Sequence, residues 1–244
     1  MSPKASNEIG AAADREAHRD SFRAEELPRP ENMRRGWRLF VIGFFVVFLR
    51  IFKPYRLKGL ENRLTKGPAV MLGNHKSYLE ILVISITSLL WPHWVGKAEL
   101  MDAPFPVPQV AKGWGMLPLR RDGSDLQTAK HMIEYIRDGR SLAIFPQGTR
   151  CRTLAEIKAN LPKTGVFSLA KKRGLLIQPI STGGENGIFK PFNVHYLEPI
   201  DPKTYRLDLP SDEARVWAIF ETLYRDQGYA EAADFFKEKI AEVL

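Results

Sequence analysis

A histidine and a glutamate, His75 and Glu80, stand five residues apart in this sequence and could do acid–base chemistry together. In one continuous helix this spacing would place the two side chains about 140° apart, so they can meet only if His75 lies in a turn and Glu80 in the first turns of the next helix. The carboxylate would then fix one tautomer of the imidazole and leave the other ring nitrogen free as a base. The alternative interpretation is a surface pair with no shared function.

A second group of polar residues follows the apolar run 142–145. Gly148 would let the backbone approach a ligand closely, Thr149 offers a hydroxyl, and Arg150 offers forked donors that match phosphate oxygens. The alternative is an ordinary turn with exposed arginines. Cys151 lies between two arginines, which could lower the pKa of its thiol. No evident partner supports a nucleophile there, so we do not assign Cys151 that role.

The other histidines and the cysteine content indicate the kind of site and compartment to expect. We expect no metal site, because no closely spaced ligands accompany His18, His93, His131 and His195. The single cysteine excludes an intramolecular disulfide, so a reduced, cytosol-facing environment fits the sequence.

Short apolar runs alternate with helical patterns from residue 67 onward, and these elements must position the polar groups. We predict strands at 69–72, 142–145 and 175–180, and helices at 77–90, 124–138, 165–173, 212–225 and 230–243. Such alternation predicts an α/β fold, in which a single domain over 59–244 has a largely parallel central sheet flanked by helices.

The N-terminal part of the sequence has a different composition. Residues 1–33 have many charges and few large apolar side chains, so we interpret them as a mobile polar tail. The uncharged run 39–49 has basic residues on both sides and is shorter than the roughly 20 residues that a membrane-spanning helix needs. We therefore interpret 34–58 as a membrane-associated helical element that lies in one leaflet. The alternative is a buried core helix.

The charge of the chain indicates the chemistry of its partners. The formal net charge is +8, and residues 1–35 carry seven basic and seven acidic side chains, so the whole excess lies in 36–244. A basic domain suits an anionic membrane surface, a phosphorylated substrate or a nucleic acid. A nucleic-acid binder would also need aromatic or helix-borne basic residues that read its target, and the aromatic residues here cluster in an apolar segment. We therefore expect no nucleic-acid partner.

Four groups of residues, taken together and in order, indicate a function more specifically than any one of them does alone. They are Asn74-His75 with Glu80, then Lys97-x-Glu99-Leu100 with the run from Gly113 to Arg121, then the run from Phe145 to Arg150, and finally the run from Ile177 to Ile180. Together they resemble the four blocks of the glycerolipid acyltransferases, with the closest likeness to the 1-acylglycerol-3-phosphate acyltransferases, over about residues 55–200. The resemblance implies an enzyme that moves a fatty acyl group from a thioester to the free hydroxyl of a lysophospholipid. With 1-acylglycerol-3-phosphate as acceptor, the product would be phosphatidic acid.

The resemblance also implies roles for individual residues. His75 would be the general base that takes the proton of the lysolipid hydroxyl, and Glu80 would be its acidic partner. The residues that would bind the substrate are Lys97, Arg121, Gln147, Gly148, Thr149 and Arg150. The acyl donor would be acyl-CoA or acyl carrier protein as a co-substrate, with no bound cofactor. The enzyme would work on an anionic membrane surface at its cytoplasmic face.

Two positions depart from the family pattern, which usually has Asp in place of Glu80 and Glu in place of Gln147. Glu80 keeps the carboxylate on a longer side chain, so the pair can form if the helix starts slightly differently. Gln147 removes a negative charge, which would raise the local positive potential or weaken the positioning of Arg150. The head group therefore stays open, and a lyso-aminolipid is an alternative. A catalytically silent membrane-binding member and a thioesterase that uses water are the rival interpretations.

Overall fold

The computed structural model describes residues 35–52, 54–104, 108, 111, 115–119, 125–184 and 189–244. The predicted polar tail 1–33 lies outside these residues. So do Ser124, the predicted helix start, and Arg121, a predicted phosphate ligand. The predicted division of the chain into a tail, a membrane-associated element and one domain stays a prediction.

Helices and strands alternate along most of the described part of the chain. The helices are α1 (Arg35–Phe52), α2 (Leu79–Thr87), α3 (Asp125–Arg137), α4 (Leu154–Ala159), α5 (Gly165–Arg173), α6 (Asp212–Asp226) and α7 (Ala230–Ala241). The strands are β1 (Tyr55–Lys58), β2 (Val70–Gly73), β3 (His93–Lys97), β4 (Leu117–Leu119), β5 (Leu142–Ile144), β6 (Ile177–Gly184) and β7 (Phe192–Tyr196).

These strands form one sheet in the order β1-β7-β6-β2-β5-β3-β4. Neighbouring strands are parallel except for β6 and β7, which confirms the predicted α/β fold with a largely parallel sheet. Parallel neighbours end at the same edge of a sheet, and ligand sites of α/β folds lie at that carboxyl edge. Because β2 and β5 are adjacent, the residues that follow them, His75 and Gly148, emerge at one edge.

Two apolar layers cover the faces of the sheet. Along β2, Val70 and Leu72 belong to a core cluster with α5, α6 and α7, whereas Met71 points to the opposite face and packs with residues of α2. Burial on both faces explains why the central strands are continuous apolar runs in the sequence.

Helix α1 packs against α2 through one side and exposes another. Leu49 is fully buried in the same cluster as Met71. The exposed apolar stripe of α1 consists of Phe44, Val47, Phe48, Ile51 and Phe52, at the spacing of one helical face. The element predicted at 34–58 also includes strand β1, which pairs with β7. Over the described ranges, none of the helices combines the length and the apolarity needed to cross a membrane.

Candidate active site

His75 lies in the turn between the end of β2 at Gly73 and the start of α2 at Leu79, and Glu80 lies in the first turn of α2. The two side chains meet, with Nδ1 of His75 donating a hydrogen bond to Oε2 of Glu80. An ionised carboxylate only accepts, so this bond assigns the proton to Nδ1 and the lone pair to Nε2. The side chain of His75 is 12% exposed and that of Glu80 is fully buried.

The turn that precedes α2 supplies donors that hold Glu80. The backbone N–H groups of Lys76 and Ser77 both donate to Oε1 of Glu80, each at 2.7 Å. These two N–H groups precede the N-cap residue Tyr78, so they lie outside the hydrogen bonding of the helix and are available to the carboxylate. The helix dipole also favours a carboxylate in the first turn. Oε1 is therefore fixed by the backbone, and Oε2 is directed to His75.

Aromatic side chains fix the plane of the His75 ring. The ring of Phe145, the residue after β5, stacks on the imidazole with centroids 4.1 Å apart. The ring of Trp94, on β3, stacks on Phe145 with centroids 5.0 Å apart, and its indole N–H donates to Ser85 Oγ at 2.8 Å. From the sequence, Phe145 was predicted to end a strand and to open the third of the four blocks, and Trp94 was assigned no role. The stack joins residues from distant parts of the chain, so no local pattern in the sequence indicates it.

The loop that follows β5 is tied to the turn that carries His75. The backbone N–H of Cys151 donates to the carbonyl of His75 at 2.7 Å, and Nε of Arg152 donates to the carbonyl of Lys76 at 3.2 Å. Gly148 has a φ of +67°, a conformation that favours glycine, and its N–H donates to the carbonyl of Phe145 at 2.8 Å. The predicted phosphate loop and the His75–Glu80 pair therefore adjoin.

Cys151 is fully buried. Burial raises the pKa of its thiol to about 11, and the negative charge of Glu156 acts in the same direction. The suggestion that the flanking arginines lower this pKa is therefore wrong, because burial decides the direction. The thiol stays protonated at neutral pH, which argues against a nucleophile.

Arg150 stacks its guanidinium group over the ring of Tyr78, 4.1 Å from the ring centroid. Tyr78 is exposed, and its ring meets the imidazole of His75 edge-on at 6.5 Å. Stacking uses the face of a guanidinium and leaves its N–H edge for an anion. Gly148 and Thr149 are half-buried beside Arg150. The contact of Tyr78 with Arg150 could not be predicted from the sequence, because the two residues lie 72 positions apart.

Two other predicted substrate ligands lie differently. Gln147 is buried, where its Oε1 accepts from the hydroxyl of Tyr224 at 3.0 Å and its Nε2 donates to the carbonyl of Asn160 at 3.2 Å. Burial raises the pKa of the Tyr224 hydroxyl, which keeps it a donor. Lys97 is exposed at the end of β3. Substrate contact by Gln147, Lys97 and Arg121 stays a prediction.

Other histidine–carboxylate pairs occur elsewhere in the fold. His131 and Glu134 lie 3.4 Å apart on α3, and His195 of β7 bonds through Nδ1 to Asp226 at 2.7 Å. His131 lies in the middle of α3 and His195 lies within β7, whereas His75 lies in the turn directly after a parallel strand. Among the described residues, no three His, Cys, Asp or Glu side chains are grouped as a metal site would require.

Comparisons with known proteins identify a family for this chain and a solved structure with a similar fold. A sequence model of the Acyltransferase family matches residues 55–183, more than half of the chain. The crystal structure of the 1-acyl-sn-glycerophosphate (LPA) acyltransferase PlsC from Thermotoga maritima has a TM-score of 0.61 at 22% identity, covering 86% of each chain. At that identity, the likeness shows the fold alone.

Curated relatives are similar over shorter stretches. A chloroplastic 1-acyl-sn-glycerol-3-phosphate acyltransferase of Arabidopsis thaliana is 29% identical over 182 residues, which are 67% of this chain and 48% of the relative. A lyso-ornithine lipid O-acyltransferase of Rhodobacter capsulatus is 30% identical over 116 residues, which are 46% of this chain and 40% of the relative. The chain spans about half the length of the first curated relatives it matches. The match over residues 55–183, which include His75 and Glu80, shows that this chain belongs to the Acyltransferase family.

Proposed function

We propose that this protein transfers a fatty acyl group from a thioester donor to the free hydroxyl of a lysolipid. The observation that carries the proposal is the hydrogen-bonded pair of His75 and Glu80 at the carboxyl edge of the sheet. Nε2 of His75 has no hydrogen-bond partner among the described residues, so it is free to meet a substrate hydroxyl. A hydroxyl is a poor nucleophile at neutral pH, and general-base catalysis is the help that this pair can give.

A single base, His75, accounts for both proton transfers of the reaction. Nε2 of His75 takes the hydroxyl proton as the oxygen attacks the carbonyl carbon of the thioester. The new C–O bond forms, the C–S bond breaks, and the thiolate leaves with the bonding electrons. The proton on Nε2 then neutralises the thiolate. Between these two proton transfers, the carboxylate of Glu80 stabilises the imidazolium of His75.

The acceptor we propose is 1-acylglycerol-3-phosphate, and the product is phosphatidic acid. The names of two plant relatives support this substrate. The guanidinium of Arg150 supports it as well, because its ring stack with Tyr78 leaves the N–H edge for a phosphate. Gly148 and Thr149 lie beside Arg150 and supply a close backbone approach and a hydroxyl.

A second acceptor has one specific observation in its favour. The Rhodobacter capsulatus relative, 30% identical over 116 residues, is named a lyso-ornithine lipid O-acyltransferase. A lyso-aminolipid would use the same His75 and Glu80 chemistry on its hydroxyl, but it would not need a phosphate cradle. The two acceptors therefore differ in how much they depend on Arg150.

The donor we propose is acyl-CoA or acyl carrier protein, used as a co-substrate with no bound cofactor. Both donors present the same thioester carbonyl to the attacking hydroxyl, so the chemistry of His75 serves either of them.

We propose that residues 34–58 seat the catalytic domain, 59–244, on the cytoplasmic face of a membrane, with 1–33 as a polar tail. The exposed apolar stripe of α1 supports this, because it is a wide apolar surface that the described residues of the domain leave uncovered. Exposed basic side chains at Arg50, Arg56 and Lys58 flank it and suit anionic lipid head groups.

The experiment that tests the proposal is acyl transfer from labelled acyl-CoA and acyl carrier protein to a panel of lysolipids in liposomes, for wild type and Arg150→Ala. Transfer to 1-acylglycerol-3-phosphate, with KM for that acceptor raised in Arg150→Ala, supports the phosphate assignment. Transfer to a lyso-aminolipid alone, unaffected by Arg150→Ala, would favour the second acceptor.

Two outcomes would overturn the proposal. If the protein binds anionic liposomes but no donor and acceptor give product, it is a silent member of its family. If acyl-CoA is hydrolysed at the same rate with and without lysolipid, the protein is a thioesterase.

A further inference from the structure

Asn74, the residue just before His75, is bound to strand β6 as if it extended the sheet. Its Oδ1 accepts from the backbone N–H of Thr182 at 2.8 Å, and its Nδ2 donates to the carbonyl of Thr182 at 2.8 Å. The side-chain amide thus reproduces both hydrogen bonds of a strand neighbour one residue beyond the end of β2 at Gly73. Asn74 and Thr182 are both fully buried, so these bonds do not compete with water.

The side chain of Thr182 then reaches the acidic member of the pair. Its Oγ1 lies 3.3 Å from Oε1 of Glu80 and 3.0 Å from the carbonyl of Asn74. The hydroxyl has a single hydrogen for two acceptors, and a hydrogen bond to a charged acceptor is roughly twice as strong as one to a neutral acceptor. The stronger of the two possible hydrogen bonds is therefore the one from the Thr182 hydroxyl to an ionised Glu80.

Oε1 of Glu80 accordingly faces a side-chain donor beside the backbone N–H groups of Lys76 and Ser77. The backbone donors exist whatever residues stand there, whereas the hydroxyl depends on a threonine or serine at 182. Three donors around Oε1 fix the rotation of the carboxylate, and that rotation decides where Oε2 meets His75.

We propose that Thr182 is a positioning residue for the catalytic pair: its hydroxyl orients Glu80, and its backbone, clamped by Asn74, holds β6 against the turn that carries His75. This inference rests on the acyl transfer proposed above. It assigns to the end of β6 a function that the four sequence blocks do not contain, because the fourth block ends at Ile180.

The adjacent residue, Ser181, provides a matched control. It is also fully buried on β6, but its hydroxyl points to the other face and donates to Asp226 of α6. Ser181→Ala removes a buried hydroxyl from the same strand without touching Glu80. A general weakening of β6 should therefore appear in both variants, whereas loss of positioning should appear at Thr182 alone.

The test compares kcat, KM and thermal midpoint for Thr182→Val, Thr182→Ser and Ser181→Ala. Thr182→Val should lower kcat by about ten- to a hundred-fold, as expected for a lost hydrogen bond to a charged group, with KM nearly unchanged. Thr182→Ser keeps the hydroxyl and should retain most of the activity. Ser181→Ala should lower the thermal midpoint but not kcat. If Thr182→Val does not fold, Thr182→Ala replaces it.

The inference is overturned if Thr182→Val keeps the wild-type kcat, or if Ser181→Ala lowers kcat as much as Thr182→Val does. It is also overturned if Thr182→Ser loses as much activity as Thr182→Val. A readout without turnover separates it from the proposed function. The Nδ1–H proton of His75 should give a far-downfield NMR signal that shifts in Thr182→Val and is unchanged in Ser181→Ala. A protein that shows this shift but no acyl transfer would contradict the proposed function and leave the positioning role standing. An unchanged signal in Thr182→Val would contradict that role.

Discussion

The imidazole of His75 lies parallel to the ring of Phe145, with the ring planes 3° apart and the centroids separated by 4.1 Å. Glu80 meets the edge of the same imidazole through Nδ1. One neighbour thus fixes the plane of the ring and the other fixes its rotation within that plane. A general base whose position is fixed before the substrate arrives has less to lose in conformational freedom during the reaction.

Replacing Phe145 should lower kcat, in addition to the loss of stability expected when a buried aromatic side chain is shortened. Phe145→Leu removes the stack, which is worth about 0.5–1.5 kcal/mol beyond burial, so we expect kcat to fall by roughly two- to twelve-fold. Steady-state kinetics of acyl transfer would measure this. Phe167→Leu, in the apolar layer on the other face of the sheet, is the control and should lower stability without that fall in kcat. Equal falls in kcat for both variants would contradict a role for the stack.

The length of Glu80 should matter although the family usually has an aspartate there. Glu80 spans from the N–H groups of Lys76 and Ser77 to His75, and a side chain one methylene shorter cannot keep both contacts. We therefore expect Glu80→Asp to lower kcat, and Glu80→Gln to lower it further, by about a hundred-fold or more, because the imidazolium loses its charged partner. Wild-type kcat in Glu80→Asp would show that the turn adjusts to the shorter side chain.

Replacing Gln147 with glutamate should destabilise this protein. Gln147 donates to the carbonyl of Asn160, and a buried carboxylate in its place would face that oxygen without a donor. We expect Gln147→Glu to lower the free energy of unfolding by about 1–3 kcal/mol in urea denaturation at neutral pH. The loss should shrink as the pH is lowered, because a protonated carboxyl again has a hydrogen to donate. A variant as stable as wild type at neutral pH would contradict the position given to the amide.

Cys151 should be unreactive in the folded protein. Burial raises the pKa of its thiol to about 11, so the reactive thiolate becomes populated only as the pH rises toward that value. Labelling by iodoacetamide at about pH 8, near the usual thiol pKa, should be slow for folded protein and fast in urea. Mass spectrometry would measure the fraction of labelled protein, and the label can be assigned to Cys151 because it is the single cysteine of the chain. Fast labelling of folded protein would contradict this pKa direction.

Much of the fold could be predicted because the central strands are buried on both faces. The runs predicted at 69–72 and 142–145 became β2 and β5, and the helix predicted at 165–173 coincides with α5. The strands β1, β3, β4 and β7 were missed. Along β7, buried and half-buried residues alternate, so its apolar content is diluted in the sequence.

The site was less predictable where it depends on distant contacts. The spacing of His75 and Glu80 restricts how they can meet, because only a turn followed by a helix brings them together. Gln147, by contrast, bonds to Tyr224, 77 residues further along the chain. Thr182 lies at the polar end of β6, where serine, threonine and glycine are typical of a loop. No local pattern could assign either contact.

The most direct test of the central claim is acyl transfer by His75→Asn beside His131→Asn. Both variants remove the histidine of a histidine–glutamate pair, but His131 and Glu134 lie one turn apart within α3 and not in a turn that follows a strand. We predict that His75→Asn lowers kcat by about a hundred-fold or more, while the thermal midpoint stays close to wild type and His131→Asn keeps full activity. Transfer at the wild-type rate by folded His75→Asn would contradict the general-base mechanism.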